Sequence, residues 1–314
     1  METTTQYEDA MGAYGFNDLP TYDRLITPFP SVRLIRSVGG EAGWNMPVSV
    51  WHAPSGIGEE VAFDALPHDC IAFSLQGEIE CVRGSAAGRR GKSRSDFFTL
   101  QLGGHESFFV SRDETRFVHI NFGPALWRAI AEEIVGSVGA HSELRPDRVF
   151  FPDRDLRRMI DRYVARALTG DTPPAIEMDS QANLIALALL KSHSSLPIAK
   201  EFRPMALPPA RLTRVKDFIE ANLDRDLGLA DIAAAAELSP FHFARAFKHQ
   251  TGVPPHHYLM ERRVDRARQL LAASQVSLAE IALACGFAGQ SHFTTAFKRH
   301  TGVTPGAWRA AVCS

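Results

Sequence analysis

A block of sequence recurs at an interval of 50 residues near the end of the chain, and no other feature limits the possible folds so sharply. Ala246-Phe247-Lys248, Thr251-Gly252-Val253 and Pro255 return as Ala296-Phe297-Lys298, Thr301-Gly302-Val303 and Pro305. Upstream, Ala230-Asp231-Ile232-Ala233 corresponds to Ala279-Glu280-Ile281-Ala282 at an offset of 49, so the second copy carries one extra residue in its turn. Two copies are too few for a solenoid, which needs about three stacked units to bury a continuous core, and imply instead a duplicated small module.

Both copies divide in the same way. In the second, Ser277 with Glu280 three residues later predicts a capping box, and hence a helix through Ile281 and Ala284. Gly286 stands where a tight turn needs a residue without a side chain. A second helix is expected over 290–300, stopped by Gly302 with Pro305 beyond. In the first copy Ser239 and Pro240 form an N-cap and first-turn pair. Phe243 and Phe247 follow on one buried face, and Gly252 ends that helix. Short helix, tight turn and second helix with a polar outer face make a helix-turn-helix, whose second helix presents its first residues to base edges in the major groove. Phe243, Phe247, Phe293, Phe297, Ile232 and Ile281 are the expected core.

Between the copies, residues 258–273 read as one longer helix. Leu259, Val264, Ala267 and Leu271 line its apolar side, and Glu261, Arg262, Arg263, Asp265, Arg266 and Arg268 the other. Such a helix spans roughly 22–27 Å, which with the modules at its ends brings the reading helices near one DNA turn apart, about 34 Å. A lead-in helix is expected over 212–223, packed through Leu212, Val215, Phe218, Ile219 and Leu223.

Charge follows the same division. The whole chain is formally -2, but residues 208–314 hold 13 Lys+Arg against 9 Asp+Glu, a balance of +4, leaving 21 and 27 elsewhere, a balance of -6. No acid occurs over 238–260 or from Ala288 onward, where Arg245, Lys248, Lys298, Arg299 and Arg309 lie. Phosphates meet these windows without like-charge repulsion.

These residues resemble the DNA-binding region of the AraC family of bacterial transcription regulators. The likeness covers about 207–310, and its most specific stretch is Ile281-Ala-Leu-Ala-Cys-Gly-Phe287, then Ser291-His292-Phe293, Phe297-Lys298, Thr301-Gly302 and Pro305. It implies a double helix-turn-helix that binds asymmetric promoter sites on double-stranded DNA, usually as an activator working with RNA polymerase and often as a homodimer. By position, the first reading helix would present Pro240, Phe241, His242, Ala244 and Arg245, the last matching the family's recurring arginine. The second would present Gln290, Ser291, Thr294 and Thr295. A bidentate Gln290–adenine pair would supply about 1–3 kcal/mol of discrimination. Lys248, Lys298 and Arg299 are phosphate candidates, and His242 and His292 stand between surface filler and phosphate contact. Ala244 and Thr295 are small where some relatives carry long polar side chains, which shifts expected readout toward thymine methyls.

At 314 residues the chain accommodates two domains, and the first half has its own pattern. Residues 1–25 are expected to form an arm. Strand-like segments follow at 48–51, 61–66, 71–75, 78–82, 97–102, 107–110 and 115–122, with alternation clearest in Arg116-Phe117-Val118-His119-Ile120-Asn121-Phe122. Helices are expected at 125–138, 154–168 and 178–192, the last either a dimerisation element or a core helix. Prolines at 197, 204, 208 and 209 mark 194–209 as a linker. The expected fold is therefore α+β: a β-barrel or roll with helices over 26–193, then an all-α domain over 210–310 of two helix-turn-helix units joined by a long helix. The order of elements resembles the cupin-like effector and dimerisation domain of AraC-type regulators. The resemblance and an apolar barrel mouth together suggest a small-molecule effector, with Trp51, Phe73 and His119 as candidate lining.

Several other chemistries lack their signatures. His52, His68, His105 and His119 are scattered singly, without the paired histidines and nearby glutamate of a metal-binding cupin, so no metal or other cofactor is expected. Residues 86–93 (AAGRRGKS) lack the first glycine of a P-loop and precede a strand, so they read as a basic hairpin loop. No Gly-x-Ser-x-Gly nucleophile elbow occurs, and no enzyme activity is expected. Cys70, Cys81, Cys285 and Cys313 show no metal spacing, and with no membrane span or signal segment they imply reduced thiols and a cytoplasmic protein. Two other readings stay open: a cupin-type metal enzyme fused to a DNA-binding module, and a regulator controlled by a partner protein.

Overall fold

The computed structural model describes residues 32–40, 42, 44–54, 61–63, 69–83, 89–93, 97–101, 107–111, 113–122, 126, 130, 150–170, 172–194, 207–273 and 276–312. Chain packing divides into two compact units, Met1–Lys200 and Glu201–Ser314. The expected arm over 1–25 and positions 195–206 of the expected linker lie outside the described residues.

The first unit holds strands β1 (Arg33–Val38), β2 (Val48–Ala53), β3 (Val61–Phe63), β4 (Asp69–Gln76), β5 (Ile79–Arg83), β6 (Arg89–Lys92), β7 (Phe97–Gln101), β8 (Ser107–Ser111), β9 (Thr115–Phe122) and β10 (Phe151–Pro152). They form two antiparallel sheets, ordered β1-β2-β9-β4-β7-β10 and β3-β8-β5-β6. Helices α1 (Arg154–Ala167) and α2 (Ala175–His193) follow. Of the helix expected over 125–138, only Leu126 and Ile130 are described; both are helical and buried.

Register assigns the larger sheet two faces of different chemistry. Val50 pairs with Val118 and Val118 with Phe73, while Ile120 pairs with Ile71 and Ile71 with Leu100. This apolar face meets the helices. The Arg157 guanidinium lies 4.2 Å over the Phe73 ring, and His193 stands edge-on to Phe98. Tyr163, fully buried, donates its hydroxyl to the Met46 carbonyl at 2.5 Å. The opposite face carries Ser49, Trp51, Phe117, His119, Asn121, Cys70, Thr99 and Gln101, all buried. Trp51 Nε1 donates to Ser49 Oγ at 3.0 Å, and the Cys70 thiol donates to Gln101 Oε1 at 2.9 Å.

The basic segment read as a hairpin loop is corrected in part. Arg89–Lys92 is the returning strand β6, with Arg90 paired to Val82 and Gly91 to Cys81. It lies at the end of its sheet, where charged side chains are tolerated and discourage further strand pairing. Helix α2 packs as a core helix, buried at Ile176, Met178, Ala182, Ile185, Ala186, Leu189 and Leu190, with Leu184 exposed. No helix among the described residues is long and apolar enough to cross a membrane.

The second unit is all helical: α3 (Pro209–Ala221), α4 (Leu229–Ala235), α5 (Pro240–Thr251), α6 (Pro255–Ala273), α7 (Leu278–Ala284), α8 (Gln290–Thr301) and α9 (Pro305–Val312). Prolines start two of these helices, α3 and α6, earlier than apolar periodicity alone indicates, because the ring presets φ and the first helical N–H is dispensable. Thus α6 begins at Pro255, three residues before Tyr258, with the Pro254 carbonyl accepting from His257 and Tyr258 N–H. Each copy has its own core. In the second, Met260, Val264, Ala267 and Leu271 of α6 pack against Ile281, Phe287, Phe293 and Phe297.

Candidate nucleic-acid interface

The two reading helices share their C-terminal devices but start differently, α5 behind the side-chain cap Ser239 and α8 behind Gly289, which offers none. Ser239 Oγ caps α5 by accepting from His242 N–H at 3.2 Å, with Pro240 in the first turn. Ser277 and Glu280 cap α7 reciprocally: Glu280 N–H donates to Ser277 Oγ, and Ser277 N–H to Glu280 Oε2 at 3.1 Å. Helices α5 and α8 both end on a left-handed glycine, Gly252 at φ 82° and Gly302 at φ 83°. Thr251 and Thr301 close the last turns in the same way, donating to the Phe247 and Phe297 carbonyls. Turn lengths differ as the offsets require, four residues between α4 and α5 and five between α7 and α8.

Each turn contains one residue of positive φ, Glu237 at 56° in the first copy and Gly286 at 73° in the second. Only the second is glycine, and the surroundings explain the difference. A Cβ on Gly286 would sit 2.2 Å from the Leu223 carbonyl oxygen and 2.7 Å from the Arg263 guanidinium. Glu237 is exposed, and its carboxylate accepts from Arg214 at 2.6 Å and Arg211 at 3.3 Å, which holds it below the usual carboxylate range. Beside Gly286, burial pushes the Cys285 thiol up to about 11, leaving a neutral packing group instead of a nucleophile.

The six expected core residues, Phe243, Phe247, Phe293, Phe297, Ile232 and Ile281, are all buried. Lys248, Gln290, Ser291, Thr295, Lys298 and Arg299 are exposed, and Pro240, His242, Ala244, Arg245, His292 and Thr294 are half-buried. Phe241 is a correction: only 2% of its surface is exposed, so it cannot face bases. Its ring instead lies under the Arg245 guanidinium at 5.5 Å, a distance at which a cation is attracted to the ring face. Burial, then the Arg245 charge, lowers His242 from the ordinary histidine range. His292 stands edge-on to Phe287 at 5.5 Å.

Three basic residues serve structure where the sequence suggested a solvated face. Arg263, expected on the polar side of the connecting helix, is 3% exposed and donates to the Leu223 carbonyl at 3.1 Å and the Arg225 carbonyl at 2.5 Å. Arg309 donates to the Val276 carbonyl at 2.7 Å, and Arg268 lies over the Trp308 ring while pairing with Asp265. Helical periodicity places Arg263 one residue from Val264 and four from Leu259, a position apolar spacing would fill; its charge hid it.

In the first unit, Trp51 and His119 share a face with Phe117, their rings 6.2 Å apart. Phe73 lies on the other face beneath Arg157, so the three suggested lining residues are not brought together. Among the described residues, no group of three or more His, Cys, Asp or Glu side chains could hold a metal ion.

The second unit is thus a pair of capped helix-turn-helix modules on one connecting helix, with acid-free reading helices. A family model described as a helix-turn-helix domain matches residues 232–311. The chain is 37% identical over 91 residues to the probable transcriptional regulator LumQ of Photobacterium leiognathi, covering 29% of this chain and 37% of that protein. It is 34% identical over 103 residues to the regulatory protein PocR of Salmonella typhimurium, covering 33% and 34%. A solved AraC-type transcriptional regulator from Chromobacterium violaceum is 36% identical, covering 33% of this chain and 94% of that one, with a TM-score of 0.32. Residues 232–311 are therefore a helix-turn-helix domain. The chain spans about a third of the length of the two curated relatives named.

Proposed function

We propose that this chain is a sequence-specific transcription regulator, an activator that binds promoter DNA through α5 and α8 and responds to a small molecule through its first unit. The observation that carries the reading is the pairing of two helices, each free of acidic residues and ended by a left-handed glycine, with exposed Lys248 on one and exposed Gln290, Lys298 and Arg299 on the other. LumQ and PocR, whose names describe regulators, support it.

Arg245, braced on Phe241, and Gln290, Ser291, Thr294 and Thr295 contact bases in this reading. Lys248, Lys298 and Arg299 hold phosphates and set register without reading sequence. The domain plan is an arm over 1–25, a cupin-like effector and dimerisation unit over 26–193, a linker over 194–209 and the DNA-binding domain over 210–310. The buried face of Trp51, His119, Asn121, Thr99 and Gln101 offers aromatic surface and uncharged hydrogen-bonding groups suited to an effector. An effector can change DNA binding only through different affinities for two states of the protein. RNA polymerase and a second copy of the chain are the partners of this reading, and it includes no enzymatic step.

Selection of binding sites from random duplex DNA by the full-length protein tests the reading. Two conserved blocks of bases should emerge, with binding that weakens steeply as salt rises. Uniform recovery of all sequences would refute it.

A further inference from the structure

Arg263 marks a buried point at which the two modules meet. Arg263 projects from the connecting helix α6, whose residues Met260, Val264, Ala267 and Leu271 belong to the core of the second module. Its guanidinium reaches back to the first module, donating from Nε to the Leu223 carbonyl and from Nη2 to the Arg225 carbonyl, just beyond the end of α3. The third body at this point is the turn of the second helix-turn-helix. A Cβ at Gly286 would stand 2.2 Å from that same Leu223 oxygen and 2.7 Å from Arg263 Nη2. One side chain on the axis between modules therefore touches the segment that follows the lead-in helix of the first module and the turn that aims α8. Beside it, Arg262 of α6 pairs with Glu220 of α3 at the surface.

An arginine suits this position because its planar fork satisfies two carbonyls in fixed directions, where a lysine offers a single compact ammonium. Those carbonyls lie past the last turn of α3 and lack helical partners of their own. Burial lowers the guanidinium from its ordinary range, and the charges of Asp226 and Asp224 offset part of that.

We infer that Arg263 is a positioning residue that fixes the angle between the two reading helices, and so sets the spacing of the two base blocks that the protein accepts. This rests on the DNA-binding reading above. Two linked binding elements gain from one another only while their geometry allows both to engage, so loosening the joint costs spacing selectivity before it costs recognition by either helix.

The test is selection by the full-length protein from a duplex library with two randomised blocks separated by variable spacers, run with the natural chain, Arg263→Met and Arg263→Lys. Circular dichroism melting accompanies each to show that the variant is folded. For the natural chain we expect two blocks at one spacing. For Arg263→Met we expect the same two blocks, a spread of several spacings, and roughly 10- to 100-fold weaker binding to the site of natural spacing. Arg263→Lys should fall between.

A folded Arg263→Met that keeps a single spacing at full affinity overturns the inference. So does one that loses either block outright, or failure of both variants to fold, which makes the residue a plain core element. Should only the methionine variant fail to fold, the lysine variant decides by the same criterion. No enriched sequence from the natural chain refutes the DNA-binding reading, and this inference with it; that result is distinct from all the others.

Discussion

At the scale of single residues, side chains of one type hold opposite roles, and context separates them. Arg245 and Lys298 both lie on reading helices, but Arg245 is half-buried over Phe241 and Lys298 is exposed. Arg245→Ala should weaken binding to the preferred site by about 1–3 kcal/mol and relax base preference at one position, as loss of a base contact does. Lys298→Ala should weaken binding to every sequence alike and lower the slope of log affinity against log salt by about 0.9, one phosphate contact. Titrations against preferred and scrambled duplexes at several salt concentrations separate the two; a uniform loss from Arg245→Ala would move it to the phosphate class. The place of Arg245 on α5 was legible in the sequence because that helix's cap, core spacing and stop signal are all local. Phe241 and Arg263 were not, because which way a side chain points depends on packing partners tens of residues away.

At the scale of elements, the duplicated turn gives an internal control. Gly252 and Gly286 both have left-handed backbones, but nothing lies within 4 Å of a Cβ at Gly252, whereas one at Gly286 meets the Leu223 carbonyl. Gly252→Ala should cost about 1 kcal/mol, the penalty of a left-handed alanine. Gly286→Ala adds overpacking and should cost about 2–4 kcal/mol. Urea denaturation of both variants checks this, and equal losses would mean that the close approach at Gly286 is relieved by small shifts. In the first unit, Asp179 of α2 accepts from Asn45 N–H at 2.8 Å, and burial raises its carboxyl from 3.8 to about 6. Between these values the folded chain holds a proton that the unfolded chain has released. Stability should therefore fall as pH rises from about 4 to about 6, by on the order of 2–3 kcal/mol, and level off above. Asp179→Asn keeps an acceptor for Asn45 and should flatten that segment of the stability profile; an unchanged slope would assign it to other groups. Most strands were legible from alternation, notably Thr115–Phe122, whose bounds match expectation. Strands β1, β6 and β10 were not, since short or charged edge segments take their conformation from the neighbouring strand, not from a pattern of their own.

At the scale of the whole molecule, a net charge of -2 conceals a basic C-terminal third and an acidic remainder. The repeat made that division readable before any coordinates, because a duplicated module must be complete in each copy. The faces of the first unit were far less legible: its larger sheet has an apolar face toward the helices and a polar one opposite, and residue type alone grouped Phe73 with Trp51 and His119, which lie on the other face. The central claim is that α5 and α8 read DNA together. It is tested most directly by measuring the affinity of the full-length protein, Arg245→Ala and Gln290→Ala for the duplex selected from random DNA and for a scrambled duplex, across a range of salt. The account predicts preferential binding by the natural chain that weakens with salt, with each substitution reducing preference in a different one of the two base blocks. Binding that leaves both variants as selective as the natural chain would contradict it.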